Sequence, residues 1–230
     1  MREIVLDTET TCLDPTQGHR VVEIGAIEII NLIPTGKSFH VYLDPERDMP
    51  EEAFRVHGLS GEFLSKHKKF AEIAAEFRAF IDGAQLIIHN AEFDVKFLNA
   101  ELLRIDLPTI AMTVVTDTLA LARRRHPGAS NSLDALCQRY GVDATQREKH
   151  GALLDSQLLA EVYAELMGGR QAAFSLAVET RATGVADAPR LLRRPAPMPS
   201  LLAEAEAAAH RAFALALGKE PIWKRYLDPD

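Results

Sequence analysis

The chain has 230 residues, 47 % of them hydrophobic and 26 % charged, a composition that excludes wholesale disorder, a collagen-like repeat and a disulfide scaffold. Lysine and arginine number 26 against 33 aspartates and glutamates, a net charge of −7. This excludes a bulk electrostatic grip on duplex nucleic acid, but not an enzyme that holds a short strand end through metal ions.

Residues 3–7 read as the first strand, an apolar run that ends in Asp7-Thr8-Glu9-Thr10-Thr11. Strands are expected over 21–30 and 38–43, joined as an antiparallel hairpin by a turn at Pro34-Thr35-Gly36. Ile73, Phe77, Phe80 and Ile81 recur at helical spacing over 72–81, with Gly83 as the stop. A strand at 85–89 leads into a helix over 92–104, and a strand at 113–115 into a helix over 119–125. Ser132 and Gly141 cap a helix over 132–140, and Leu154, Leu158, Val162 and Leu166 stripe a longer one over 151–167. Three antiparallel strands followed by strand-helix units make an α/β fold, a mixed sheet flanked by helices. Beyond Gly168 the character changes. The stretch 181–200, with Pro189, Pro195, Pro197, Pro199 and four arginines, reads as a flexible linker. The Ala-rich stretch 201–217 reads as a short helical tail.

Cys12 and Cys137 form no metal-type spacing and point to a reducing compartment. The N-terminal apolar run is too short for a secretory signal, and no window approaches the roughly 18 apolar residues of a membrane span, so a cytoplasmic location without membrane contact is expected. Thr35-Gly36-Lys37-Ser38 lacks the earlier glycine of a phosphate-binding loop, because Asn31 stands there. Neither a dinucleotide fingerprint nor a zinc-protease helix motif occurs.

Acids at the ends of regular elements remain. Asp7 and Glu9 stand at i and i+2, so a continuing strand would project both from one face. Asp7 ends a buried run, where a carboxylate is costly unless a cation compensates it. Asp94 follows the strand at 85–89 at the start of a helix, a place the helix dipole also favours. Asp155 follows His150 by five residues, about 140° of helix, which puts His150 in the loop before the helix. His89 and Asp94 repeat that spacing, so either histidine is a candidate base. Four carboxylates make a hard oxygen set for Mg²⁺ or Mn²⁺, and two such ions about 3.5–4 Å apart can activate water and stabilise a leaving oxygen in phosphodiester cleavage.

Three segments in this order, V-L-D-T-E-T-T over 5–11, H-N-A-E-F-D-V-K-F-L over 89–98 and H-G-A-L-L-D-S over 150–156, resemble the three motifs of the DEDDh exonuclease family. The resemblance covers residues 1–176 and implies a ribonuclease H-like fold and a 3′–5′ exonuclease domain of that extent. It makes Asp7, Glu9 and Asp155 ligands of the nucleophile-side ion, Asp7 bridging to a second ion and Asp94 holding that ion mainly through water. His150 becomes the general base and His89 structural. The segment E-A-F-R-V-H-G over 52–58 resembles the part of the family that touches the terminal nucleotide. This assigns Glu52 and His57 to 3′-end binding together with Asp7 and Glu9, with Thr8, Thr10 and Thr11 lining the pocket. Cys12 departs from the glycine usual after Thr-Thr and puts the local turn in question.

Within the family the resemblance is to proofreading subunits of bacterial replicative DNA polymerases, which remove mispaired nucleotides from a single-stranded DNA 3′ end. Trimming of RNA 3′ ends is the alternative, but those members need no Pro/Arg linker at 177–200 or tail at 201–230. A binding module without catalysis is disfavoured by the five filled positions. Gln171, Phe174 and Leu176 resemble a sliding-clamp docking peptide. Leu202, Phe213, Trp223 and Tyr226 are expected to anchor the tail on the polymerase subunit. A small accessory subunit on the catalytic domain is a further possible partner.

Overall fold

A computed structural model describes residues 1–145, 149–168 and 203–216. The chain divides into two units, Met1–Ser175 and Leu176–Asp230. In the first, β1 (Arg2–Thr10), β2 (Val21–Ile30) and β3 (Ile33–Tyr42) form an antiparallel meander, and β4 (Gln85–Ile88) and β5 (Val115–Asp117) extend it in parallel, in the order β3-β2-β1-β4-β5. Helices α1 (Glu51–His57), α2 (Gly61–Leu64), α3 (Phe70–Ile81) and α4 (Ala91–Arg104) precede β5; α5 (Thr118–Arg125), α6 (Leu133–Tyr140) and α7 (Ala152–Leu166) follow it. In the second unit the described element is α8 (Glu204–Ala216), on which Phe213 is largely exposed. No helix among the described residues is long and apolar enough to cross a membrane.

Period-2 alternation on β1 explains why helices cover both sheet faces. Ile4 and Leu6 face one core, with Phe77 of α3 and Phe97 and Leu98 of α4. Val5 faces the other, with Ile87 of β4, Leu136 of α6 and Leu158, Leu159 and Val162 of α7. Both faces must be apolar, so the central strands read as continuous hydrophobic runs rather than as alternating ones.

Three boundaries differ from the sequence reading. The hairpin turns at Asn31-Leu32, both at positive φ (52° and 68°), and not at Pro34-Thr35-Gly36, which lies within β3. Ile30 pairs with Ile33 across a two-residue loop whose left-handed residues match the strand twist, and Pro34 is tolerated because β3 is a sheet edge. The expected strand at 113–115 begins as a 3₁₀ turn, Met112–Val114, before β5. The first strand continues to Thr10, because β2 keeps pairing it through Glu9↔Glu23 and Thr10↔Val21. That extension places Asp7, Thr8 and Glu9 on regular strand. The helices at 70–81, 91–104, 133–140 and 152–166 stand where periodicity put them, the third with Ser132 Oγ accepting from the Ala135 N–H and Gly141 as the left-handed cap.

Candidate active site

The alternation that sorts the core also sorts the acids. Asp7 and Glu9 project to the α7 side with Val5, whereas Thr8 projects to the α4 side with Ile4 and Leu6. Ligand atoms of Glu9, His150 and Asp155 lie within 4.8 Å of one another. Asp155, in the first turn of α7, is buried, and its Oδ2 stands 3.3 Å from Nδ1 of the half-exposed His150. His150 sits in the loop before α7, its backbone N–H donating to the Val56 carbonyl at 3.4 Å. Asp7 lies opposite Gly25 in the β1–β2 register.

Asp94 approaches from the other face. It is 3 % exposed, and its Oδ1 accepts from both the backbone N–H (3.1 Å) and the hydroxyl (2.7 Å) of Thr8. Burial, with a smaller push from the Asp117 charge, raises its pKa to about 7 against the two Thr8 hydrogen bonds. A carboxylate this reluctant to ionise is a group that a nearby cation would return to its charged form. The cluster of Glu9, His150 and Asp155 could hold a hard divalent ion.

The remaining candidates divide between α1 and the start of the β1–β2 connection. Glu52 is exposed on α1, and His57 is buried at its end. The Leu59 N–H donates to His57 Nδ1 (3.0 Å), which fixes the neutral ring with its proton on Nε2. Burial holds the His57 pKa down near 4, aided by the nearby Lys149 and His150 charges and opposed by the Thr10 backbone. Thr10 Oγ1 donates to the Cys12 carbonyl (2.6 Å). Thr11 is fully buried, its hydroxyl joined to His19 Nδ1 and accepting from the Arg20 N–H (both 3.0 Å), so it braces the loop. Cys12 has no positive φ, and the turn therefore needs no glycine there. His89 bonds Thr118 Oγ1 through Nδ1 (2.9 Å), an arrangement that suits the structural reading. Gln171, Phe174, Leu176, Leu202, Trp223 and Tyr226 lie outside the described residues.

Two residues that the sequence reading passed over support the site. An ideal Cβ on Gly25 would lie 2.1 Å from the Ala152 carbonyl carbon and 2.2 Å from the Leu153 nitrogen, so α7 begins directly against β2. Ser156 Oγ donates to the Gly25 carbonyl at 2.8 Å in a buried contact. A glycine inside an apolar strand was the available signal.

Buried His57 gives a pH expectation. Its folded pKa is near 4 against about 6.5 in the unfolded chain, so between those values the unfolded state binds more protons and stability falls with falling pH, by about 3 kcal/mol in all. Asp94, raised to about 7, acts in the opposite sense over much of the same range. The difference between the native chain and a His57→Gln variant isolates the histidine: in urea melts from pH 7.5 to 4 the native chain should lose stability relative to the variant. Parallel profiles would contradict the assignment.

A five-stranded mixed sheet whose central strand sets Glu9 beside a histidine and an aspartate at the start of a helix fits a DEDDh nuclease. The family described as exonuclease matches residues 4–163, and the chain belongs to it. Its similarity within the family runs to the replicative branch. It is 58 % identical over 179 residues to DNA polymerase III subunit epsilon of Rickettsia conorii, covering 76 % of this chain and 78 % of that one. It is 48 % identical over 221 residues to the epsilon subunit of Escherichia coli, covering 92 % and 91 %. The fold also matches the nuclease domain of 3′hExo, a DEDDh family member, with a TM-score of 0.63 at 16 % identity over 72 % of this chain and 91 % of that one.

Proposed function

We propose that the protein is the 3′–5′ proofreading exonuclease subunit of a bacterial DNA polymerase III, removing mispaired 3′-terminal nucleotides as 5′-monophosphates. The observation that carries this reading is the convergence of Glu9, His150 and Asp155 beside Asp7, with Asp94 held by Thr8, in a chain 48–58 % identical to epsilon subunits. That identity disfavours RNA-end trimming.

Divalent ions, Mg²⁺ or Mn²⁺, supply an acidified water and charge to stabilise the leaving oxygen. Asp7, Glu9 and Asp155 would hold one such ion, and Asp94 would assist a second. His150 takes the proton of the attacking water. Its half-exposed ring passes that proton to solvent, and Asp155 orients it through Nδ1. Glu52 and neutral His57 hold the terminal nucleotide from α1, with Thr8, Thr10 and Thr11 shaping the strand end beneath it. Preference for a mismatch comes from melting, since an unpaired end costs less to fray into the site. The direct check is cleavage of matched and mispaired primer termini and of a free single strand. The expected order of rates is single strand at least equal to mispaired, and mispaired above matched. A mispaired end cleaved faster than the free strand would overturn this account.

For partners, the polymerase III alpha subunit is assigned to the tail at 201–230 through Leu202, Phe213, Trp223 and Tyr226, with 177–200 as tether. The match to the Escherichia coli subunit over 92 % of this chain necessarily enters that C-terminal region, which supports the assignment. The sliding clamp is assigned to Gln171, Phe174 and Leu176, and a small accessory subunit to the catalytic domain. Truncation after Arg181 should preserve nuclease activity on oligonucleotides and abolish co-purification with alpha. Co-purification that survived would move the contact to the catalytic domain.

A further inference from the structure

A base that takes the proton of an attacking water must stand within hydrogen-bond reach of it, and a displacement of about 1 Å costs about a hundredfold in rate. Asp155 Oδ2 meets His150 Nδ1 at 3.3 Å, but the His150 side chain is 47 % exposed and belongs to the loop before α7. That loop rests on α1. The His150 N–H donates to the Val56 carbonyl (3.4 Å), and the residue before it, Lys149, makes the larger contact.

The Lys149 ammonium lies 5.3 Å from the centroid of the Phe54 ring, within the range of a cation–π attraction. Its stem runs across Gly58, where an ideal Cβ would stand 2.7 Å from Lys149 Cδ and 2.8 Å from Nζ. Gly58, at φ 75°, is the left-handed cap of α1 and follows Phe54 by four residues, so one extended side chain spans both. The charges of Lys149 and His150 both reach buried His57 at the same end of the helix. The lysine, the base and a proposed nucleotide-binding histidine thus meet on the last turn of α1.

We infer that Lys149 is a positioning residue: clasped over Phe54 and Gly58, it docks the loop before α7 on α1 and so holds His150 in place to take the proton. The inference rests on the exonuclease reading above and deepens it, since α1 then serves both the terminal nucleotide and the base. The full chain and its Lys149→Ala, Lys149→Arg, Phe54→Leu and Lys149→Ala/Phe54→Leu variants are compared in single-turnover cleavage of a single-stranded oligonucleotide with Mg²⁺. Exchange of the His150 ring is followed by ¹³C relaxation dispersion in the metal-free chain. Lys149→Ala should lower the maximal rate about fivefold, the size of an exposed cation–π contact, and should increase the exchange of the ring. It should leave the half-saturating oligonucleotide concentration and its salt dependence unchanged. Lys149→Arg, which keeps a cation over the ring, should recover most of the rate. Phe54→Leu should lose a similar factor, and the double variant no more than the larger single loss, because both changes open one contact.

A loss confined to affinity, with the slope of log affinity against log salt reduced by about 0.7, would assign Lys149 to a DNA phosphate and overturn the clasp. Additive rate losses, or ring exchange unchanged in Lys149→Ala, would overturn it as well. Failure of the native chain to release mononucleotides, with ring exchange still increased in Lys149→Ala, would instead overturn the exonuclease reading alone.

Discussion

Replacing Asp155 or Asp7 by alanine should lower the rate of nucleotide release by about a thousandfold or more while leaving the fold intact. Asp155 is 3 % exposed and stands with Glu9 and His150 in a cluster whose ligand atoms all lie within 4.8 Å. On the proposed mechanism losing either carboxylate would weaken the hold on the ion, and losing Asp155 would also remove the group 3.3 Å from His150 Nδ1. Several kcal/mol of transition-state stabilisation disappear together, and each 1.4 kcal/mol is tenfold in rate. The folded state should not suffer, because crowding acids around one point costs stability when no cation balances them. The expected melting temperature in chelator is therefore equal to or above that of the native chain. Full activity of either variant in chelator-treated buffer restored with Mg²⁺ would remove these residues from the mechanism.

Gly25→Ala should be the most damaging substitution outside the charged cluster. The new Cβ would meet backbone on α7, the Ala152 carbonyl carbon at 2.1 Å and its oxygen at 2.4 Å, and neither can rotate away as a side chain could. Helix α7 would have to shift by more than an ångström, carrying Asp155 away from Glu9 and breaking the bond from Ser156 to the Gly25 carbonyl. Overpacking of this kind costs about 3 kcal/mol, near 10 °C in melting temperature for a domain of this size. A catalytic group displaced by about 1 Å costs about a hundredfold in rate. Calorimetry and single-turnover cleavage measure the two effects separately. Native-like values for both would show that α7 does not depend on this contact.

The contrast between these two expectations marks what was readable from sequence. Asp7, Glu9, Asp94 and Asp155 stand out as acids at the ends of apolar or periodic runs, and strand alternation already placed Asp7 and Glu9 on one face, whereas only the family resemblance chose His150 over His89 as the candidate base. Ser156 carries no such signal, and a glycine inside an apolar strand marks Gly25 as a close approach without naming its partner. Their importance is a distance between β2 and α7, about 130 residues apart in sequence, that no local pattern encodes. The turn at Asn31-Leu32 was misread for a related reason: Pro and Gly advertise turns, yet the strand twist selected two left-handed non-glycine residues and left Pro34 on an edge. The short helices α1 and α2 escaped because neither is long enough to show a period. The pairing of Thr8 with Asp94 likewise needed the tertiary approach of α4 to β1, 86 residues apart, to become visible.

The central claim is that these four carboxylates and His150 direct a metal-activated water at the last phosphodiester of a DNA 3′ end. Digestion of a 5′-labelled single-stranded oligonucleotide in ¹⁸O-enriched water tests it most directly. The account predicts stepwise shortening from the 3′ end, 5′-mononucleotides each carrying one solvent-derived ¹⁸O on phosphorus, arrest in chelator and recovery with Mg²⁺ or Mn²⁺. Products ending in 3′-phosphate, internal cleavage, or digestion that persists in chelator would contradict it.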